Sequence, residues 1–195
     1  MIDRPSPSVA QAVVLVCTAN VIRSPLAAAM LEQRLGDNVP RFEVVIKSAG
    51  LVVEPGRQAT PGVQTIARRM GMDLSGHLSR PVTPDLVANA QMVLTMTEAH
   101  RSSVLRRQPA ALSRTFTLAE FVRLSVDRPT EVGQLSTAVD FAHRARPRTV
   151  PADSPEDVPD PVGLPMEDLE SVARQLDRLT IAIAGVITGG RYPPA

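Results

Sequence analysis

An unbroken apolar run, Val13-Val14-Leu15-Val16, stops at Cys17, and Arg23-Ser24-Pro25 then opens a stretch rich in Ala, Leu and Met. A β-branched run without polar alternation suits a strand buried on both faces. A proline suits the first turn of a helix, where its missing N–H costs nothing. The junction therefore reads as strand, short loop, helix. Five residues, Thr18, Ala19, Asn20, Val21 and Ile22, separate Cys17 from Arg23. That is enough chain to curl into a cup whose backbone N–H groups, with those of the helix's first turn, converge on one spot and favour an anion there. Arg23 can grip two oxygens of a tetrahedral oxyanion with its planar fork. In the same positive field the Cys17 thiol is expected to ionise well below the free value of about 8.5. Anion cradle, guanidinium clamp and thiolate in one loop are the equipment for attack at phosphorus.

Composition narrows the alternatives. At 195 residues the chain suits a single domain, 1–195, with a proper core. A net charge of +1 gives no electrostatic case for a nucleic-acid partner or an acidic membrane surface. Cys17 is the only cysteine, which excludes an intrachain disulfide and a cysteine-based zinc cluster and fits a reducing cytoplasmic location. The three histidines are far apart in the chain, so no metal site is expected, and no Walker or dinucleotide motif implies a cofactor. Residues 1–11 lack a signal-peptide plan, and the apolar end Ile181–Thr188 is too short to span a bilayer.

Periodicity places strands at Ala12–Cys17, Arg41–Ser48, Gln91–Met96 and Arg114–Thr117. Helices are expected at Ser24–Leu35, closed by Gly36 at C′, and at Thr60–Met70, Glu98–Arg107 and Leu118–Ser125. Leu169, Val172, Ala173, Leu176, Leu179 and Ile183 recur at helical spacing, so Pro165–Ile187 reads as a long amphipathic terminal helix. Strands alternating with helices imply an α/β fold with a parallel sheet covered on both faces. From about 127 to 158 periodicity fades and prolines crowd in, leaving at most a short helix over Thr137–Arg146. A tail over about 1–10 is expected to be disordered, and 127–158 to be a Pro-rich insertion.

Cys-(five residues)-Arg-Ser after an N-terminal strand resembles the phosphate-binding loop of the low-molecular-weight protein tyrosine phosphatases. Ser48-Ala49-Gly50, the segment Met70–Arg80 with its Leu74-Ser75-Gly76-His77, and Asp85–His100 extend the resemblance. It implies an open four-stranded, flavodoxin-like parallel sheet and a cysteinyl-phosphate mechanism on phosphotyrosine proteins. Carried over residue by residue, it makes Cys17 the nucleophile and Arg23 the oxyanion clamp, with Thr18 to Ile22 and Ser24 binding the substrate's phosphoryl group. Asn20, Ser24, Ser48 and His77 would hold the loop in shape through hydrogen bonds. Asp160, in Val158-Pro159-Asp160-Pro161, resembles the family's general-acid loop, and its apolar neighbours are expected to favour the protonated acid. Asp153 and Asp157 lie nearby but lack that context.

Several positions depart from the family pattern. Ala19 stands for a frequent glycine, Ile22 for a second loop cysteine, and Val162 for an aromatic beside the acid; Leu51-Val52 also carries no aromatic. Two other functions share the equipment: arsenate reduction with an external thiol, and a non-catalytic phosphate-binding module. Oligomeric state is left open by the sequence.

Overall fold

The computed structural model describes residues 11–36, 44–125, 135–146 and 157–189. Four parallel strands, β1 (Gln11–Cys17), β2 (Val44–Gly50), β3 (Ala90–Thr95) and β4 (Thr115–Thr117), form one sheet in the order β2-β1-β3-β4. β1 is central, with Cys17 opposite Gly50 of β2 and Val16 opposite Thr95 of β3. Its alternation serves two cores at once. Val13, Leu15 and Cys17 face a large core, while Val14 and Val16 face a smaller one. Burial on both faces explains why the run has no polar interruption.

Helix α1 (Arg23–Leu35) lies against the long terminal helix α7 (Met166–Ile187) on the large-core face. α2 (Pro61–Arg69), α5 (Leu118–Ser125) and α6 (Leu135–Ala145) add their apolar stripes to the same side. α3 (Pro84–Ala88), α4 (Glu98–Arg107) and a 3-10 turn at Pro109–Arg114 cover Val14 and Val16. Chain direction diverges from β1, toward β2 on one side and β3 on the other. The carboxyl end of β1 thus opens at a topological switch point, the place where open α/β sheets hold their ligands.

The structure differs from the sequence expectations in several places. α3 and the 3-10 turn were not anticipated, because five or six residues are too few to show a period. β2 runs on to Gly50, and the expected strand residues 41–43 lie outside the described residues. Gly36 is not a left-handed C′ residue: its φ of −46° continues the helical backbone. α6 begins at Leu135, with Leu135, Ala138, Val139 and Ala142 buried, so this part of the proline-rich stretch belongs to the core. Arg146 then locks its end, donating to Glu120 Oε1 at 2.8 Å, Thr115 O at 2.9 Å and Leu112 O at 3.0 Å, and stacking over Phe116. The expected tail, residues 127–134 and 147–156 of the expected insertion, and Asp153 with them, lie outside the described residues. Among the described residues no helix is long and apolar enough to cross a membrane.

Candidate active site

The loop Thr18–Ile22 joins β1 to α1, and Arg23 is the first residue of that helix. α1 has no side-chain cap and no acidic residue in its first turn, so its leading N–H groups keep the partial positive charge that attracts anions. The adjoining chain pins the loop from outside. Leu51 N donates to Cys17 O at 3.0 Å, Val52 N to Thr18 O at 2.9 Å and Thr60 N to Val21 O at 3.0 Å.

Cys17 is buried, with its Sγ 3.0 Å from Ser24 Oγ and 3.3 Å from the Asn20 N–H. Ser24 Oγ accepts from Asn20 Nδ2 at 2.9 Å and lies 3.3 Å from Ala49 O. Its single proton has two outlets, and the sulfur is the nearer. A thiolate there receives that proton as a charge-assisted bond.

Asn20 organises the rest of the loop from a left-handed backbone, φ 57°, the one such non-glycine among the described residues. Its two amide protons go to Ser24 Oγ and Ser48 Oγ, both at 2.9 Å, and its Oδ1 accepts from Arg80 N at 3.0 Å. His77 Nε2 lies 2.8 Å from Asn20 O. A carbonyl can only accept, so His77 carries its proton on Nε2. Asn20, Ser24, Ser48 and His77, singled out in the sequence, are thus brought into one connected network. Arg80 joins it through a 2.7 Å bond from Nε to Ser48 O.

Arg23 is buried, and three of its five guanidinium N–H groups donate within the protein. Nη1 donates to Val158 O at 3.1 Å, and Nη2 to Thr18 Oγ1 at 3.2 Å and Asp160 Oδ2 at 2.6 Å. The segment carrying Asp160 is stitched over the sheet's carboxyl edge. Val158 N donates to Met96 O at 2.8 Å, and the Asp157 carboxylate accepts from Glu98 N at 2.9 Å, capping α4. Asp157 is therefore an anchor of the segment, and Asp160 is the carboxylate that reaches the loop. The expectation of apolar surroundings for Asp160 is corrected. Its side chain is 45% exposed and paired with Arg23, because Val162 and Leu164 point outward to solvent.

Two residues of the site went unnoticed in the sequence. His100 is buried between two hydroxyls, with Nε2 2.9 Å from Thr18 Oγ1 and Nδ1 2.9 Å from Thr97 Oγ1. Burial, with the nearby Arg23 charge and against the pull of Asp160, lowers its pKa from 6.5 to about 4. The ring is neutral at ordinary pH. Thr97 caps α4 by accepting the His100 N–H at 3.1 Å. The Thr97-x-x-His100 spacing at a helix start was the available signal.

Residues 12–135 match the family model described as low molecular weight phosphotyrosine protein phosphatase. The chain belongs to that family. It is a phosphatase that works through a cysteine nucleophile, on phosphoproteins as a class, and the loop at Cys17 is its phosphate-binding loop. Among its relatives, a protein-arginine-phosphatase of Geobacillus stearothermophilus is 36% identical over 110 residues, covering 56% of this chain and 70% of that protein. A probable low molecular weight protein-tyrosine-phosphatase, EpsP of Ralstonia solanacearum, is 32% identical over 117 residues, covering 60% and 77%. The solved YwlE arginine phosphatase from Geobacillus stearothermophilus superposes with a TM-score of 0.67 at 27% identity, covering 89% of this chain and 90% of that one. The family match ends before Asp160, so the acid-bearing segment and α7 lie beyond it.

Proposed function

We propose that the phosphatase acts on phosphotyrosine in proteins, with Cys17, Arg23 and Asp160 as its catalytic residues. The observation that carries this is their convergence. Sγ is held by Ser24 and the Asn20 amide, while Arg23 lies between the loop and the Asp160 carboxylate. Cys17 attacks phosphorus in line and the tyrosyl oxygen leaves. The amides of Thr18 to Ile22 and the Arg23 fork bind the equatorial oxygens, where charge builds in the transition state. Protonated Asp160 gives its proton to the departing oxygen. As carboxylate it then takes one from the water that cleaves the cysteinyl phosphate. Ser24 donates to the sulfur as nucleophile and again as leaving group. Asn20, Ser48 and His77 keep the strained loop in its working shape.

A second reading, phosphoarginine, draws support from the rim. Val52, whose amide binds Thr18 O, and Val162, two residues past the acid, are 72% and 65% exposed, and both are aliphatic. Phe116 and Phe121 are fully buried and offer no face to a phenol ring. An aliphatic rim suits the methylenes of an arginine side chain, and the Geobacillus stearothermophilus relative is named a protein-arginine-phosphatase.

Matched peptides bearing phosphotyrosine or phosphoarginine, hydrolysed with chelator and reductant present, test both readings. A higher kcat/KM on phosphotyrosine supports the first and on phosphoarginine the second. Cys17→Ser is expected to abolish turnover of either while retaining vanadate binding, and Asp160→Ala to slow it strongly. Turnover by Cys17→Ser would overturn the residue assignment.

A further inference from the structure

We propose that His100 is a positioning residue that turns the Thr18 hydroxyl into a hydrogen-bond donor for the phosphoryl group. The inference rests on the loop being the oxyanion site, and it concerns a side-chain relay outside the Cys17, Arg23 and Asp160 set.

A hydroxyl oxygen can accept two hydrogen bonds and give one. Thr18 Oγ1 receives Arg23 Nη2 at 3.2 Å and lies 2.9 Å from His100 Nε2. The neutral ring has one N–H to place, and two arrangements are open. With the proton on Nδ1, the ring donates to Thr97, and Thr18 spends its own proton on Nε2. A lone pair of Thr18 would then face the bound oxyanion, which repels it. With the proton on Nε2, His100 and Arg23 together fill both acceptor sites of Thr18, and the hydroxyl proton can only go to a third partner. A phosphoryl oxygen held by Arg23 is that partner.

Thr97 fits the second arrangement. Its oxygen already accepts the His100 backbone N–H at 3.1 Å, and its hydroxyl proton can go to Nδ1 at 2.9 Å. Every donor along Thr97, His100 and Thr18 then has a destination once an anion is bound. The relay also ties the loop to the start of α4, the element whose first N–H is capped by Asp157 of the acid segment. Arg23 and Asp160 are the charged groups acting on the ring, with opposite effects.

The test combines orthovanadate affinity with a spectroscopic reading of the ring. Thr18→Val and His100→Leu are each expected to weaken vanadate binding by roughly tenfold or more, the cost of one bond to a charged group. The double variant should lose little beyond either single one. His100→Gln places an amide N–H near the Nε2 position and is expected to recover most of the binding. In 15N-detected spectra of the vanadate-bound wild type, His100 should show a protonated Nε2 and a bare Nδ1, assigned by loss of the signals in His100→Gln. Additive losses in the double variant, no recovery with Gln, or a proton on Nδ1 in the bound state would each overturn the proposal. A folded wild type that binds no vanadate would instead overturn the reading of the loop itself.

Discussion

Arg23 Nη2 lies 2.6 Å from Asp160 Oδ2, so the proposed oxyanion clamp and the proposed proton donor are partners of one another. An oxyanion entering the loop has to share the guanidinium with this carboxylate or displace it. Asp160→Asn keeps the shape and deletes the competing charge. The carboxylate is half-exposed, so the pair is worth at most about 1 kcal/mol, and inorganic phosphate is expected to bind up to about fivefold more tightly. On phenyl phosphate, whose leaving group needs a proton, kcat should fall about a hundredfold or more. Competitive inhibition by phosphate and kcat, measured on the same variant, separate the two effects. Weaker phosphate binding would mean that Asp160 orients Arg23 rather than competes for it.

Gly50 ends the Ser-Ala-Gly segment for a steric reason. A Cβ there would meet Thr18 O at 2.6 Å, Val53 Cγ2 at 2.5 Å and the Ala19 carbonyl carbon at 3.0 Å. Two of these are backbone atoms of the phosphate-binding loop and cannot rotate away. Gly50→Ala is expected to cost about 1–3 kcal/mol of stability by overpacking. Displacement of the loop by a fraction of an ångström should also lower kcat/KM by about tenfold or more. Urea unfolding and kcat/KM on one preparation check both. Full activity with lowered stability would show that the strain is taken up on the Val53 side.

Asn20 combines a left-handed backbone with three side-chain bonds, and two substitutions separate these roles. Asn20→Gly keeps φ accessible but leaves Ser24, Ser48 and the Arg80 N–H without their partner. Asn20→Ala loses the same bonds and adds the left-handed cost of about 1–2 kcal/mol. Both should be nearly inactive, with Ala the less stable by that margin. Equal stabilities in thermal or urea unfolding would mean that the loop backbone relaxes once the amide is gone.

The central architecture was readable because it rests on local signals. A two-sided apolar strand, a proline in the first helical turn and a long amphipathic helix carry their meaning within a few residues, and each element starts within one residue of where expected. α6 was less legible: its buried stripe Leu135, Ala138, Val139 and Ala142 is short and runs straight into the proline-rich stretch from Pro147 to Pro165. Cys17, Asn20, Ser24, Ser48, His77 and Asp160 could be singled out because they lie in short motifs. His100 was not among them, because the Thr97-x-x-His100 spacing marks only a helix start, while its role depends on Thr18, 82 residues away, and on the burial that keeps it neutral. The Arg23–Asp160 pair spans 137 residues and is invisible to spacing for the same reason.

Neutral burial of His100 also makes stability depend on pH. Its pKa falls from 6.5 to about 4 in the folded protein through burial and the Arg23 charge. The unfolded chain therefore takes up the proton at higher pH than the native state does. Stability from this group is full above about pH 6.5 and is lost progressively as pH falls toward 4, below which the loss levels off. At pH 5 the loss amounts to about 2 kcal/mol, since each unit of difference is worth about 1.4 kcal/mol. Carboxylates titrate in the same range, so His100→Gln is the reference, with all other groups retained. Urea unfolding of both proteins at pH 7.5 and pH 5 is expected to show the wild type losing about 2 kcal/mol more than the variant. Parallel losses would mean that the folded protein admits the proton at His100 as readily as the unfolded chain.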